Sequence, residues 1–421
     1  MRMNVMMSTP PAMSRPASVF EPPNAAGSRP EGSFVAASSP TEVTVASIAP
    51  GLASVADLCV LLGEGMRASY DGTMSDADHA KARIVKPTRR DPVVRAIVAS
   101  WRSLTGGSAT RDDGRRTLVA CSGGADSSAL LLALAAVSPG PEVCHVIHDM
   151  RPEHDARRDA ERTRDLCDAL GVAYHERSVS IATAGGNAEA SARTLRYGAL
   201  EAVARERGLR YIATGHHADD QLETLLMRML RGAGVRGMAG ISDRRAMGDG
   251  VTLVRPMLGV SHQDARALCA NAGWEWNEDA TNRDEDRLRA ALRARVLPAL
   301  REIEPAAGPR AARTAASLAS ADAAITRWAD DVLGSTALGE HSGSVRLEYD
   351  MFVELPDSVM VSLLRRIYTR IVGKKGLDRL SQAVLTDLFR GVCGAGRRGG
   401  SFEVAELELR ICEGCIEFCK K

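Results

Sequence analysis

Between Thr117 and Arg255, short apolar runs alternate with helix-forming stretches, and this alternation constrains the fold more than any other feature of the sequence. The runs predict strands at Thr117–Cys121, Glu142–Ile147, Ala173–Val179, Arg210–Thr214 and Val251–Arg255. The stretches between them predict helices at Ser127–Val137, Asp155–Leu170, Asn187–Arg207 and Asp219–Leu230. Strands joined by helices of this length pair in parallel through crossover connections. The sequence therefore predicts an α/β fold, an open parallel five-stranded sheet with helices on both faces.

The remaining chain divides into two segments on either side of this unit. Residues 1–90 hold eight of the 18 prolines within their first 50 positions, which predicts a disordered extension with one helix at Ile48–Met66. The α/β domain is expected to span 91–305, with further helices at Ser261–Ala272 and Asp286–Leu300. Residues 306–421 predict a smaller, mainly helical domain with helices at Arg310–Leu333 and Pro356–Val372 and a terminal β-hairpin from Phe402–Ile411 and the following CIEF.

Composition excludes some classes of protein. The net charge of +1 means that any nucleic-acid surface must be a local basic patch. No run approaches the roughly 18 apolar residues of a membrane span, so a cytoplasmic protein with no membrane partner is expected. Nine cysteines are scattered along the chain, as expected for reduced, buried thiols. Cys412, Cys415 and Cys419 cluster as CxxCxxxC, which leaves a metal or iron–sulfur site open.

The sharpest local motif follows the first predicted strand and precedes an apolar helix. It consists of Ser122, Gly123, Gly124, Ala125, Asp126 and Ser127. Paired glycines let a backbone approach a phosphate, and a helix N-terminus presents free N–H groups to it. Asp126 would repel phosphate unless Mg²⁺ lay between them. A plain capped turn has a similar form, but the full pattern in this position favours nucleotide binding.

Other phosphate motifs are weak. No GxxxxGK[ST] occurs, so the chain is not a Walker-type NTPase. GxGxxG occurs at Gly232–Gly237 and Gly394–Gly399, but neither copy joins a strand to a helix. Each is therefore interpreted as a flexible basic loop.

A second polar motif, TGHHADDQLET, lies at the carboxyl end of the fourth predicted strand and begins with Thr214, Gly215, His216, His217, Ala218, Asp219 and Asp220. The carboxylates would stand at a helix N-terminus, where they can cap it. They would also share a sheet edge with Asp126, so one of them could complete a Mg²⁺ site. Either histidine could contact phosphate or transfer a proton.

SGGADS, GHHADDQLET and the order of the elements resemble the PP-loop (N-type) ATP pyrophosphatase superfamily, whose members split ATP between its α and β phosphates to adenylate an acceptor. Within it, the chain is most similar to the tRNA(Ile)-lysidine synthase family. Supporting stretches are HVIHDMRPEHDARRDA, NAEASARTLRYGAL, LVRPML, EDATNRD and RVLPAL. The resemblance covers about Thr117 to Leu300 and continues more weakly beyond.

The resemblance implies roles at the catalytic centre. Asp126 and Asp220 would bind Mg²⁺, and His216 would assist at the phosphates of ATP. Arg255, before a proline at a strand end, would contact the adenylated intermediate, although a structural role is equally consistent with the sequence.

It also implies substrate contacts. Arg193, Arg196 and Tyr197 fall on one helix face and would bind RNA, unless that face is simply solvated. Arg289 and Arg293 are one turn apart and would read phosphates, although the family's R-N-x-x-R has Ala290 in place of its Asn here. Glu278, Asp279 and Asn282 would bind the lysine ammonium group or cap the next helix.

The implied reaction joins free L-lysine to C2 of the wobble cytidine in an isoleucine tRNA with a CAU anticodon. Two alternatives stay open: a tRNA thiolase of the same superfamily, and a non-catalytic nucleotide-binding sensor. A homodimer is compatible with the sequence. Because the chain ends after CIEFCKK, without the extra C-terminal domain of some relatives, tRNA selection is expected to rest on fewer contacts.

Overall fold

The computed structural model describes residues 84–421, apart from 138, 150–151, 181–187, 277–286, 337–342 and 375. The helix predicted at Ile48–Met66 lies outside the described residues. So do three predicted substrate-binding residues, Glu278, Asp279 and Asn282.

The first part of the described chain alternates helices and strands as the sequence predicts. In order, these are α1 (Pro92–Leu104), β1 (Thr117–Ala120), α2 (Ala125–Ala135), β2 (Glu142–His148), α3 (Glu153–Leu170), β3 (Tyr174–Val179), α4 (Ala188–Glu206), β4 (Tyr211–Ala213), α5 (Ala218–Leu230), α6 (Val235–Met238), β5 (Arg244–Gly248), β6 (Val251–Val254) and α7 (His262–Asn271). The second part contains α8 (Arg287–Ala291), α9 (Leu297–Ile303), α10 (Ala307–Thr336), β7 (Ser344–Glu348), α11 (Tyr349–Val353), α12 (Asp357–Ile371), α13 (Gln382–Ala395), β8 (Gly400–Val404), β9 (Leu407–Cys412) and β10 (Cys415–Lys420).

The main sheet has the order β3-β2-β1-β4-β6-β5. The five predicted strands are all present and parallel. The prediction of five strands was wrong by one, because β5 adds an antiparallel edge strand to β6. That pairing depends on the turn at Asp249 and Gly250, both with positive φ, rather than on an apolar run in β5.

Apolar side chains alternate between the two faces of this sheet. Leu118 packs with α4 on one face, in a cluster with residues such as Leu200 and Val203. Val119, the next residue, packs on the other face with α1, α2, α3 and α7. Because successive strand residues point to opposite faces, both sides of β1 are buried and helices cover both.

The strand order brings the two polar motifs together. The chain runs from β1 outward to β2 and β3, then returns to place β4 on the other side of β1. In open α/β sheets, ligands bind at such a reversal, beyond the carboxyl ends of the strands. The loops that follow β1 and β4 meet at this point.

The C-terminal part packs around a second, antiparallel sheet of four strands in the order β7-β10-β9-β8. The predicted small hairpin was therefore incomplete. The run Phe402–Ile411 itself forms two strands, and β7 joins from far earlier in the chain. Its sequence, SVRLE, is too short to reveal a partner that lies about 70 residues away. α12 and α13 cover this sheet.

The helix predicted at Asp286–Leu300 is present from Arg287 onwards, with a change of hydrogen-bond pattern inside it. A π-helical turn at Leu292–Val296 separates α8 from α9. Such turns arise where an extra residue widens the helix, a feature that apolar periodicity does not reveal.

The three clustered cysteines lie on two neighbouring strands. Cys412 and Cys415 face each other across a two-residue turn, whereas Cys419 pairs with Glu408. Four residues along β10 separate Cys419 from Cys415, about 13 Å at 3.3 Å per residue. The strand geometry therefore keeps all three from meeting at one ion. Within the described ranges, no helix has the length and apolar character that crossing a membrane requires.

Candidate active site

The turn after β1 is held by its own serines. Ser127 Oγ accepts a hydrogen bond from the Ser122 N–H (3.1 Å) and donates one to the Gly124 carbonyl (3.1 Å). Gly123 has φ +85°, a conformation that side chains rarely adopt. The loop after β1 therefore presents its backbone next to the start of α2. Asp126 lies in the first helical turn of α2.

The loop after β4 packs directly against this turn. A Cβ atom on Gly215 would lie 2.9 Å from the Asp126 carbonyl carbon and 3.0 Å from the Ser127 nitrogen. Only glycine fits between the two loops. Gly215 therefore sets the distance between the two polar motifs.

A cavity of about 340 Å³ opens where these loops meet. Most of the sequence-predicted site residues lie in its wall: Ser122, Gly124, Asp126, Ser127, Arg196, Tyr197, His216, Asp220, Arg289 and Arg293. The cavity thus combines the glycine turn after β1 with cationic side chains from two other helices.

Two histidines flank the Asp126 carboxylate. His262 Nδ1 donates to Asp126 Oδ1 (2.8 Å), and His217 Nε2 lies 3.5 Å from Asp126 Oδ2. The bond to Asp126 raises the pKa of His262, although burial opposes this. Ligand atoms of Asp126, His217 and His262 lie within 4.8 Å of one another, close enough to hold a metal ion. His262 was missed by sequence reasoning, because its only signal was a position near the start of a helix.

Asp220 lies on the other side of His217. Its Oδ2 accepts from the His217 N–H (3.0 Å) and lies 3.6 Å from His217 Nε2. Burial acts to raise the pKa of Asp220, but the neighbouring imidazoles and the N–H bond outweigh it, so that the pKa is lowered. The carboxylate is therefore charged at neutral pH.

His216 is neutral at the same pH. Burial lowers its pKa to about 4, despite the nearby Asp220 carboxylate. Its Nδ1 shares a hydrogen bond with Thr214 Oγ1 (2.9 Å). A neutral imidazole can donate a hydrogen bond to a phosphate without adding charge.

The carboxylate of Asp219 lies 3.8 Å from His217 Nδ1 and also holds other elements in place. It accepts from the backbone N–H of His262 (2.7 Å) and from Arg301 (3.0 Å). Asp219 thereby fixes the start of α7 and the position of α9 against α5.

Arg289 and Arg293 are oriented by a buried acid that sequence reasoning missed. Glu223, one turn beyond Asp220 on α5, accepts from Arg293 Nε (2.5 Å) and from Arg289 Nε. Glu223 is 1% exposed. A buried carboxylate of this kind requires partners, so the pairing fixes both guanidinium groups at the cavity wall.

The ring of Tyr197 lies under three guanidinium groups, whereas the sequence predicted a ring open to stacking. Arg193, Arg196 and Arg245 have their guanidinium carbons 5.1, 5.8 and 4.9 Å from the ring centre. The ring itself is 5% exposed. Tyr197 therefore lines the cavity with little exposed surface and is packed against cations.

Arg255 is buried and donates to the Ser242 carbonyl and to the Tyr197 side chain. Burial lowers its pKa, and its Nε has no hydrogen-bond partner. Arg255 thus contacts Tyr197, a residue of the cavity wall. The sequence predicted instead that the Arg255 side chain would itself reach into the cleft.

Comparisons with known proteins agree with this architecture. Residues 99–300 match the PP-loop domain family. The tRNA(Ile)-lysidine synthase of Novosphingobium aromaticivorans is 36% identical over 279 residues, which are 65% of this chain and 80% of that protein. The chain belongs to the tRNA(Ile)-lysidine synthase family.

Another relative, the tRNA(Ile)-lysidine synthase of Pseudomonas syringae pv. tomato, is 40% identical over 225 residues, or 52% of this chain. The chain spans about half of that protein's length, 49%. Among solved structures, the U34-tRNA thiolase NcsA from Methanococcus maripaludis with its 4Fe-4S cluster gives a TM-score of 0.44 at 15% identity. The match covers 54% of this chain and 78% of that one.

Proposed function

We propose that this chain uses ATP to ligate lysine to C2 of the wobble cytidine in an isoleucine tRNA with a CAU anticodon. The observation that carries the proposal is the backbone contact between Gly215 and Asp126, which joins the phosphate turn to the Asp220 motif at one cavity. The family to which the chain belongs supports the choice of acceptor.

In the first step, the O2 atom of cytosine attacks the α-phosphorus of ATP. The new O2–P bond forms as the bond from that phosphorus to the pyrophosphate oxygen breaks, and pyrophosphate leaves. The N–H groups at the start of α2 and the hydroxyl group of Ser122 stabilise charge on the phosphates. His216, neutral with its Nδ1 bonded to Thr214, donates from Nε2 to a phosphate oxygen.

The residues present fit a Mg²⁺ ion at this point. Proteins hold Mg²⁺ through one or two carboxylates together with substrate phosphates. Asp126 and Asp220 offer two carboxylates, and one oxygen of each lies within 3.6 Å of the same His217 nitrogen. When bound, the ion would neutralise charge on the phosphates.

In the second step, the ε-amine of lysine attacks C2 of the adenylated cytidine. The N–C2 bond forms, the C2–O bond breaks, AMP leaves with the former O2 atom, and the surplus amine proton passes to solvent. Adenylation makes this substitution feasible, since an unactivated ring oxygen is a poor leaving group. Arg289 and Arg293, held by Glu223, face the cavity and bind the phosphates that flank the target base.

The four cysteines of the α/β part argue against a thiolase that would use them. Cys121, Cys144, Cys167 and Cys269 are all buried. Burial raises the pKa of Cys144 and of Cys269 to about 12 and also raises that of Cys121 and Cys167. Sulfur transfer and cluster binding both use thiolates, which these environments disfavour.

The test is incubation of the full chain with ATP, labelled lysine and total bacterial tRNA. Label should enter only an isoleucine tRNA with a CAU anticodon, in step with pyrophosphate release. Asp126→Asn should lower incorporation by roughly a thousandfold, because the ion that would neutralise the phosphates loses a charged ligand. Asp165→Asn, at an exposed position on α3, is the matched control and should retain full activity.

Absence of label in any tRNA would disprove the proposed reaction. Sulfur incorporation from a sulfide donor, instead of lysine, would favour the thiolase. Near-normal activity of Asp126→Asn would remove Asp126 from the metal site.

A further inference from the structure

Two cysteines at the tip of the C-terminal hairpin have no part in the proposed reaction. Cys412 is the last residue of β9, and Cys415 is the first residue of β10. Glu413 and Gly414, which join them, have φ values of +50° and +78°, as in the tight two-residue turns that connect antiparallel strands. A turn of this length fixes the register of the two strands that it connects.

The register of the hairpin places the two cysteines directly opposite each other. Cys415 pairs with Cys412 in the antiparallel ladder of β9 and β10. Residues opposite one another in such a ladder have Cα atoms about 4.5–5.5 Å apart and side chains on the same face of the sheet. A disulfide joins Cα atoms that are about 4.4–6.8 Å apart. The backbone spacing at this pair therefore allows a disulfide without any change of register.

The face of the sheet that carries the two thiols is its outer face. Ile411 and Ile416, the neighbours of the cysteines along the chain, are buried in the core of the C-terminal part. Cys412 and Cys415 are only half-buried. Because successive strand residues point to opposite faces, both thiols lie on the side of the sheet away from that core. A small molecule in solution can therefore reach them.

Cys419, the third cysteine of the CxxCxxxC cluster, is set apart from this pair. It lies opposite Glu408 in the ladder, and its Sγ donates to the Glu408 carbonyl (3.9 Å). Burial raises the pKa of the Cys419 thiol. Thiol–disulfide exchange proceeds through the thiolate, so this environment disfavours exchange at Cys419.

We propose that Cys412 and Cys415 form a site of reversible oxidation, at which a small-molecule disulfide such as oxidised glutathione converts the two thiols into one disulfide. The thiolate of one cysteine attacks the glutathione disulfide, so that a mixed disulfide forms and one glutathione leaves. The thiolate of the other cysteine then attacks the protein sulfur of the mixed disulfide, which forms the Cys412–Cys415 bond and releases the second glutathione. The chain gives up two protons and two electrons, which reduce one glutathione disulfide to two glutathione molecules. The reaction needs neither ATP nor RNA.

The experiment treats the full chain with oxidised glutathione, alkylates the remaining thiols with iodoacetamide in denaturant, and analyses the tryptic peptides by mass spectrometry. Cleavage after Arg410 and Lys420 gives one peptide that carries Cys412, Cys415 and Cys419. In the oxidised chain, alkylation of this peptide should occur only at Cys419, and the peptide should lack two hydrogen atoms, about 2 Da. Reduction with dithiothreitol before alkylation should restore alkylation at every cysteine of the peptide.

Two serine variants test which cysteines take part. In Cys415→Ser, Cys412 should stop at the mixed disulfide, so the peptide should be heavier by one glutathionyl group and should show no loss of hydrogen. Cys419→Ser is the matched control, and its Cys412–Cys415 disulfide should form as in the unmodified chain. A disulfide that includes Cys419, a disulfide-linked dimer, or loss of hydrogen in Cys415→Ser would overturn the proposal. Full alkylation of Cys412 and Cys415 after exposure of the unmodified chain to oxidised glutathione would overturn it as well.

Discussion

The two cores of this protein differ in what they bury. In the α/β part, buried side chains include many polar or charged groups: Thr105, Arg115, Thr117, Ser127, Ser128, His145, Asp159, Thr163, Thr214, Asp219, Gln221, Glu223 and Arg255. In the described residues from 307 to 421, every buried side chain of the core is apolar or a tyrosine. The C-terminal sheet places its charges at the surface, in pairs such as Arg410 with Glu408.

This difference separates a region built for chemistry from one built for packing. A buried polar group costs free energy unless it is hydrogen-bonded, so a protein retains such groups where function or precise positioning needs them. One group of them lies beyond the ends of β1 and β4, where Asp219 and Glu223 fix the residues around the cavity. Substitutions made in one region at a time test this difference between the two cores.

The largest effect is expected in the apolar core. Phe352 is fully buried and contacts Phe389 and Phe418, each with ring centres 5.8 Å away. Phe352→Ala should lower the free energy of unfolding by about 3–5 kcal/mol, because it leaves a cavity. Chemical denaturation measures this loss, and ATP binding below the unfolding midpoint should be retained. Trp328→Ala, at an exposed site on α10, is the control. Loss of ATP binding in the still-folded Phe352 variant would show that the two regions are not separable.

A smaller effect on stability, with a greater one on activity, is expected at the contact between the two polar loops. Gly215→Ala places a methyl group against the backbone of Asp126 and Ser127, which should destabilise by about 1–3 kcal/mol. Pyrophosphate release should fall far more than stability, since the loops must separate. Gly198→Ala, on α4 with open space around its Cβ position, should be neutral or slightly stabilising. Equal activity of the two variants would mean that the spacing of the loops is unimportant.

The smallest effect concerns the pH dependence of the active-site region. Because burial lowers the pKa of His216 to about 4, its imidazole stays neutral from pH 5 to 8. His216→Gln should therefore change the rate without changing the shape of the pH–rate profile in that range. An inflection near pH 6.5 that disappears in this variant would contradict the assignment.

The lowered pKa of His216 also makes the stability of the folded chain depend on pH. The folded-state pKa lies below the unfolded value of about 6.5, so the unfolded chain binds more protons in acid. The contribution of His216 is fully present above pH 6.5 and is lost as the pH falls towards 4.

The sequence predicted elements whose signals are local. All five parallel strands occur within two residues of their predicted bounds, because each is a short apolar run between turn signals. The glycine turn at Ser122–Ser127 was also predicted, because its signal lies in adjacent residues. β7 was missed because a five-residue strand is defined by its partner, and that partner lies at the end of the chain.

By itself, the sequence determined the parallel sheet, the phosphate turn and the family, since apolar periodicity and contiguous motifs are written in neighbouring residues. Only the tertiary structure decided that His262 bonds Asp126 across 136 positions of sequence, and that Glu223 holds Arg289 and Arg293. The reason is physical. A hydrogen bond or ion pair between distant residues depends on the strand order and helix packing that bring them together, and one-dimensional patterns contain no measure of that distance.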